Sequence, residues 1–333
     1  MAQPSAPPAP LAGRTMRLIL NAKASEDLAL REAVDVLRQQ GHDLSVRVIW
    51  EPGDARVFAA EAAGQGAAVV IAAGGDGTVN EAIHGLFLDG EHPACALGVL
   101  PYGTANDFAA ACGVPLQDPL AALQLIAAGP PVMIDVGRVN DRLFINVASG
   151  GYAAQVTTET RPEAKQILGP FAYFLTGLAS VTEVVARPTR LTAPDFHWEG
   201  EILGITVGNG RQAGGGFRVA PDALLDDGLL DVMIIPNVGW SELASLAHDL
   251  MHLDDRLTSE HLIYHQCPWL QIDAPEGLQV NVDGEPLYGS SFRFEALARR
   301  LPCCLPTTAP LCVAATHSSL AAAEDASEEG ARP

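Results

Sequence analysis

Basic residues are scarce in this chain: 20 lysines and arginines stand against 40 aspartates and glutamates, a formal net charge of −20. So acidic a protein lacks the cationic footprint that nucleic-acid binding requires, so nucleic acid is excluded as a partner. The same charge discourages electrostatic docking onto anionic lipid, and leaves any membrane contact to an apolar patch or a local basic spot. No apolar run approaches the length needed to cross a bilayer. Aromatics are sparse at 6%, while hydrophobic residues reach 48%, so a core of small aliphatics is expected. The opening MAQPSAPPAPLAG has neither the basic start nor the apolar stretch of a secretory signal, and reads as a disordered lead over residues 1–14. Cytoplasm is the default compartment. Cys95, Cys112, Cys267, Cys303, Cys304 and Cys312 show no CxxC pairing and no accompanying histidine spacing, which favours reduced structural thiols over a metal or disulfide framework.

With 333 residues the chain is long enough for two domains. Its most informative stretch runs from Val69 to Glu81, VVIAAGGDGTVNE. Five small or β-branched apolar residues read as a buried strand, three glycines as a turn, and Asn80 to Leu88 as a helix. A helix N-terminus at a strand's carboxyl end presents free amides and the positive end of a dipole, a setting that favours phosphate. The spacing matches neither GxxxxGK[ST] nor GxGxxG. Instead Asp76 sits inside the turn. A carboxylate beside a polyphosphate is repulsive unless a cation or hydroxyl intervenes, so Asp76 suggests nucleotide plus Mg²⁺; the competing reading is an ordinary turn with Asp76 as helix N-cap.

Around this stretch the first part of the chain alternates strand and helix. Met16–Asn21 reads as a strand, Ser25–Gln40 as a helix closed by Gly41, Leu44–Trp50 as a strand and Asp54–Gly64 as a helix. Ala96–Pro101 is a further strand, followed by YGTAND, where Asn106 or Asp107 would cap the next helix. This βαβαβα order implies a parallel sheet with right-handed crossovers over residues 15–134. From about residue 135 to 306 short β-rich runs dominate: Val132–Val139, Arg142–Ala148, Leu203–Gly208, Leu230–Ile235, Leu270–Ala274, Leu278–Val282 and Phe292–Ala296. They imply an antiparallel sandwich or barrel, interrupted by helical intervals at Pro162–Val185 and Ser241–Leu250. The last segment is free to return to the first domain, and residues 307–333 form an Ala/Pro/Glu-rich tail of disordered composition.

Three stretches in the second half carry chemistry. Arg211 and Arg218 lie in a glycine-dense loop, suited to an anion contact or simply to solvent. The acid-rich turn around Asp226-Asp227-Gly228 could hold a hard cation through carboxylate and backbone carbonyls, or be only an Asp-Gly hairpin turn. Asn281-Val282-Asp283-Gly284-Glu285-Pro286 places two carboxylates two residues apart on a tight turn, where one could take a proton from a substrate hydroxyl while the other orients it.

The strings GGDGTVNE, LPYGTANDFA, VGNGRQAGGG, DDGLLDV and VDGEPL, in this order from about Met16 to Pro306, resemble the bacterial YegS-like lipid kinases of the diacylglycerol-kinase catalytic-domain superfamily. The resemblance implies an α/β N-terminal domain with a parallel sheet, a β-rich antiparallel sandwich C-terminal domain and ATP in the cleft between them. It implies ATP-dependent phosphorylation of a lipid hydroxyl, of diacylglycerol or a hydroxyl-bearing phospholipid, with Mg²⁺. Carried over by motif, Gly74, Gly75, Asp76, Gly77, Thr78, Val79, Asn80, Glu81 and Thr104 would bind the nucleotide, Asp76 acting through Mg²⁺ or its waters. Glu285 would accept the proton with Asp283 beside it. A second, structural cation, Mg²⁺ or Ca²⁺, would be held by Asp227 and the carbonyls of Leu224 and Leu229. One departure is Ile49, where the family often has a threonine after Val46-Arg47-Val48; a hydroxyl contact to the nucleotide is lost there. A membrane lipid substrate implies transient contact with a membrane surface, for which the apolar segment Leu168–Leu178 is the candidate, core packing being the alternative. Rival readings are an NAD kinase-like phosphotransferase, which shares GGDGT, and a non-catalytic nucleotide sensor, which would gain nothing from Asp283 and Glu285.

Overall fold

The computed structural model describes residues 13–90, 92–151, 153–154, 183–184, 186–237 and 262–312. These fall into two units, one running to Ile134 and taking up Arg299–Pro310, the other built from Asp135–Ala298 with Leu311 and Cys312.

The first unit contains β1 (Thr15–Leu20), α1 (Ala22–Ser25), α2 (Leu28–Gln39), β2 (Asp43–Val48), α3 (Asp54–Gly64), β3 (Val69–Gly74), α4 (Asp76–Leu86), β4 (Ala96–Pro101), α5 (Asp107–Ala111) and α6 (Pro119–Ala128). Strand β1 pairs in parallel with β2 and with β3, and β3 pairs in parallel with β4, so the order is β4-β3-β1-β2. All six residues of β3 are buried, which explains its unbroken run of Val, Ile and Ala: a central strand covered on both faces has no polar side to present. The carboxyl ends are in register, Leu20 opposite Ala73 and Val48, and Gly74 opposite Pro101. Ligand-binding turns of open parallel sheets sit at that edge.

Two helices differ from the sequence expectation. The helix expected over Ser25–Gln40 is two, α1 and α2, because Asp27 is extended and its carboxylate accepts the Ala29 amide, restarting the helix. The helix expected from Asn80 begins at Asp76. Gly75 is its N-cap, so the glycine signal marks a one-residue junction and not a longer turn.

The second unit contains β5 (Val132–Val139, whose first residues belong to the other unit), β6 (Arg142–Phe144), β7 (Val147–Gly151), β8 (Ala153–Ala154), β9 (Glu183–Val184), β10 (Arg187–Ala193), β11 (Phe196–Gly208), β12 (Gln212–Ala213), β13 (Phe217–Arg218), β14 (Leu230–Pro236), β15 (Ile263–Cys267), β16 (Trp269–Val282) and β17 (Glu285–Cys303). Its strands pair antiparallel in the order β15-β14-β11-β10-β16-β17, with β7 joining β11 and β16. The core gathers Phe144, Leu191, Ile205, Ile272, Phe292 and Phe294. Phe144 meets Phe294 edge-on, ring centroids 6.2 Å apart. The runs Leu270–Ala274 and Leu278–Val282, expected as separate strands, are one strand, β16, whose register shifts between Asp273 and Leu278. The far end of β17 lies in the first unit, where Cys303 pairs in parallel with Leu97 of β4.

Of the helical interval expected over Pro162–Val185, Glu183 and Val184 form strand β9; its start, Ser241–Leu250 and the apolar segment Leu168–Leu178 lie outside the described residues. All six cysteines are buried free thiols. Burial pushes the Cys95 and Cys267 thiols up to about 12, and Cys304 and Cys312 up to about 11.

Candidate active site

Two turns at the carboxyl edge of the first unit touch each other. One joins β3 to α4 at Gly75; the other joins β4 to α5 through Tyr102–Asn106. A side chain on Gly103 would collide with the Gly75 backbone, so the two backbones approach as closely as only glycine permits. Asp76 ties them together. Its carboxylate accepts the Asp107 amide at 3.2 Å and the Phe108 amide at 3.1 Å, capping α5 from the neighbouring turn. Asp76 is therefore the first residue of its own helix and the cap of another. Asn106, at φ 53, does not cap α5 with its side chain; its amide group bonds back to Gly103, accepting that N–H at 2.7 Å and donating to that carbonyl at 3.0 Å.

Gly75 has no side chain to satisfy the first-turn amides of α4. An eleven-residue helix thus opens toward the carboxyl edge with the donors and dipole that hold an anion. Of the residues expected to bind nucleotide, Gly74 ends β3, Gly77 and Thr78 lie in the first helical turn, and Thr104 is exposed on the second turn. Val79 is buried core. Glu81 faces away from that edge's second turn: both its oxygens accept the Gly53 amide, at 3.2 and 3.3 Å, fastening the β2–α3 loop. Tyr102, which the sequence reading passed over, donates to Asp27 at 2.6 Å and so anchors the second turn to the start of α2. That bond holds the Asp27 carboxyl below its usual range, while burial, aided by the same bond, pushes the Tyr102 hydroxyl up. Its position inside YGTAND was the available signal.

In the second unit, Asp283 and Gly284 form the two-residue loop between β16 and β17, both at positive φ (46° and 99°), as a type I′ hairpin demands. Asp283 accepts three consecutive backbone amides, from Ile145 at 2.7 Å and from Asn146 and Val147 at 3.1 Å. Glu285, two residues on, points elsewhere: it is exposed and pairs with Arg142 at 3.0 Å. The tight turn thus gives its two acids different partners, three backbone amides for one and a guanidinium for the other. Arg142 carries no sequence signal, since 143 residues separate it from Glu285.

In the acid-rich turn the Asp227 carboxylate accepts the Leu229 amide at 2.9 Å, and Asp135, fully buried, accepts that of Gly228 at 2.6 Å. Burial, aided by neighbouring Asp226, pushes the Asp227 carboxyl up. A hard cation would relieve that crowding, and the donor chemistry of Asp227 with the Leu224 and Leu229 carbonyls suits one. Among the described residues no three acid, histidine or cysteine side chains gather as a metal cluster. Arg211, weighed as an anion contact, donates to the Ala223 carbonyl at 2.8 Å and shapes its own loop.

Comparison with known proteins agrees with this architecture. The diacylglycerol kinase catalytic domain family matches residues 15–139, and the YegS C-terminal NAD kinase beta sandwich-like domain matches residues 146–305. A Pseudomonas aeruginosa protein named "probable lipid kinase YegS-like" is 45% identical over 296 residues, covering 88% of this chain and 95% of that one. A Serratia proteamaculans protein of the same name is 43% identical over 306 residues, covering 92% and 97%. Among solved structures, a diacylglycerol kinase from Bacillus anthracis superposes with a TM-score of 0.69 at 22% identity over 89% of this chain and 98% of its own, a likeness of fold. On these matches, which together span nearly all of residues 15–305, the chain belongs to the YegS-like lipid kinase family.

Proposed function

We propose that this enzyme transfers the γ-phosphate of ATP to the hydroxyl of a membrane lipid, diacylglycerol or a hydroxyl-bearing phospholipid. The observation that carries the reading is the Asp76 clasp, which presents two glycine turns side by side at the carboxyl ends of adjacent parallel strands. Backbone amides of the α4 start bind the phosphates, and Thr104 contacts the nucleotide. A carboxylate oxygen has two lone pairs, so the amide bonds to Asp76 are compatible with its orienting metal-bound water as well. When bound, Mg²⁺ neutralises charge on the transferring phosphoryl group. Glu285 takes the proton from the attacking hydroxyl, and Arg142 pairs with its carboxylate at 3.0 Å. Asp283 fixes the hairpin that carries Glu285 and does not itself exchange the proton. Asp227, with the Leu224 and Leu229 carbonyls, holds a structural cation, Mg²⁺ or Ca²⁺. No helix among the described residues is long and apolar enough to cross a membrane, so the lipid is met by transient surface contact, and residence in the cytoplasm, where ATP is supplied, goes with this reading.

The test is incubation with labelled ATP, Mg²⁺ and a panel of lipids plus NAD, followed by separation of products. Label should enter a lipid, and Glu285→Gln should lower kcat by about 10²- to 10⁴-fold with little change in the KM for ATP, as loss of a general base does. Label in NAD alone, or an unimpaired Glu285→Gln enzyme, would overturn the proposal.

A further inference from the structure

The string VGNGRQAGGG of the second unit contributes no residue to the nucleotide, cation or proton steps, yet its asparagine grips the backbone segment to which the Glu285 hairpin is anchored. Asn209 is fully buried and directly follows β11, which ends at Gly208. Its Nδ2 donates to the Ile145 carbonyl at 2.9 Å and to the Asp135 carbonyl at 3.3 Å. Asp135 lies on β5 and Ile145 directly follows β6, the strand that pairs with β5, so one amide group bridges the two strands. An oxygen in place of that nitrogen would face two carbonyls, so the position demands a donor. The Oδ1 atom of the same side chain has no hydrogen-bond partner among the described residues. A buried acceptor left unpaired is destabilising. Asn209 is therefore present for its donors and not for packing.

The backbone bonds of Ile145–Val147 show what those donors act on. The Ile145, Asn146 and Val147 amides all donate to the Asp283 carboxylate, and the Val147 carbonyl accepts the Asp283 amide at 3.3 Å. The other two carbonyls go to the turn after β11. That of Ile145 accepts the Asn209 side chain, and that of Asn146 accepts the backbone amides of Asn209 and Gly210 at 2.9 and 2.8 Å. The segment is thus held between that turn and the β16–β17 hairpin, with every backbone polar group engaged. Gly210 leaves little play, because a Cβ on it would stand 3.3 Å from the Ile145 carbonyl oxygen and 3.4 Å from the Asn146 Cα. Arg142, on β6 just before this segment, is the ion-pair partner of Glu285. Both acids of the hairpin therefore take their partners from Arg142–Val147, and a shift of that stretch moves both.

We propose that Asn209 is a positioning residue for the proton transfer: by holding Ile145–Val147 it fixes the amides that anchor Asp283 and, through the hairpin, the place of the Glu285 carboxylate. The inference rests on the reading of Glu285 as proton acceptor. Its test compares one substitution in two backgrounds, with label transfer from ATP to diacylglycerol and to phosphatidylglycerol in micelles as the assay. Asn209→Leu removes both side-chain donors at similar volume. It should lower kcat about tenfold, within the range that misplacing a reacting group costs, and leave the KM for ATP within about twofold of wild type. In a Glu285→Gln enzyme there is no carboxylate left to misplace, so the same substitution should lower kcat no further. An asparagine that serves folding alone would lower kcat by the same factor in both backgrounds. That outcome overturns the proposal, as does full kcat in Asn209→Leu. Gly210→Ala presses on the Ile145 carbonyl from outside and keeps the comparison available if Asn209→Leu does not fold. It should lower kcat about threefold, as a displacement of a few tenths of an ångström would, and a loss that persists in the Glu285→Gln background counts against the proposal equally. Amide hydrogen exchange needs no turnover: in either variant that folds, exchange at Ile145–Val147 should quicken at least about tenfold, and unchanged exchange overturns the proposal. A wild-type protein that labels no lipid would strike the assignment of function, and exchange would then decide alone whether Asn209 holds the segment.

Discussion

Both units use the same device, a carboxylate that receives backbone amides from another segment, and they place it very differently. In the first unit Asp76 clasps Asp107 and Phe108, 31 and 32 residues away, across neighbouring parallel strands. In the second, Asp283 clasps Ile145, Asn146 and Val147 at separations of 136 to 138 residues, from a hairpin tip to a segment the chain passed long before. The first clasp joins two motifs that are visible as strings; the second joins a visible turn to an unremarked stretch. An acid on a glycine turn is therefore a marker of backbone anchoring in both places, and only its tertiary partner says what it anchors.

The comparison is sharpened by breaking each clasp in turn. The largest effect is expected from Gly103→Val. Its side chain has no room against the Gly75 backbone, so the turns must separate; activity should vanish and stability should fall by about 1–3 kcal/mol, the usual cost of overpacking, measured by denaturant unfolding beside the kinase assay. Asp283→Ala should cost about 2–3 kcal/mol, since the three amides lose a charged acceptor but part of the site can take up water. It should lower kcat through a displaced Glu285, with the KM for ATP little changed. An Asp283→Ala enzyme as stable and active as wild type would remove the anchoring role.

The smallest effect is expected where a carboxylate in the second unit receives side-chain donors from a neighbouring strand. Asp231 is fully buried, receives the Tyr264 hydroxyl and the Gln266 side-chain amide, and leaves its Oδ2 without a hydrogen-bond partner. Burial raises its pKa from 3.8 to about 6. A carboxyl that ionises later in the native state than in the unfolded chain weakens folding as pH rises between these two values, and the deficit persists above them. Asp231→Asn should accordingly stabilise the protein by about 1–2 kcal/mol at pH 8, the gain shrinking to nothing below about pH 4. A gain that is the same at both pH values would show that charge burial is not the cause.

How much of this could be read from the chain follows from the range of each interaction. Strand β3, the start of α3, and β4 and β5 fell where hydrophobic pattern and punctuation put them, because their signals are local. The start of α4 was displaced because glycines read as turn residues, although Gly77 sits within a helix whose first turn faces a ligand edge. Ser25–Gln40 read as one helix because Asp27 looks like any polar position until its extended backbone and its bond to Tyr102 are seen. The two acids of the hairpin read as a pair, and their spacing could not show that Asp283 turns to three amides while Glu285 turns to Arg142.

By itself the sequence determined the family, the alternation of strand and helix in the first half, the β-rich character of the second, and the strings on which phosphate chemistry depends, since each is written in adjacent residues. Only the tertiary structure decided that Asp76 caps a helix other than its own, that Glu81 holds a loop and that Arg142 accompanies Glu285. The reason is physical: a residue's type sets which bonds it can make, but the closure of long loops into a packed sheet sets which partners come within reach.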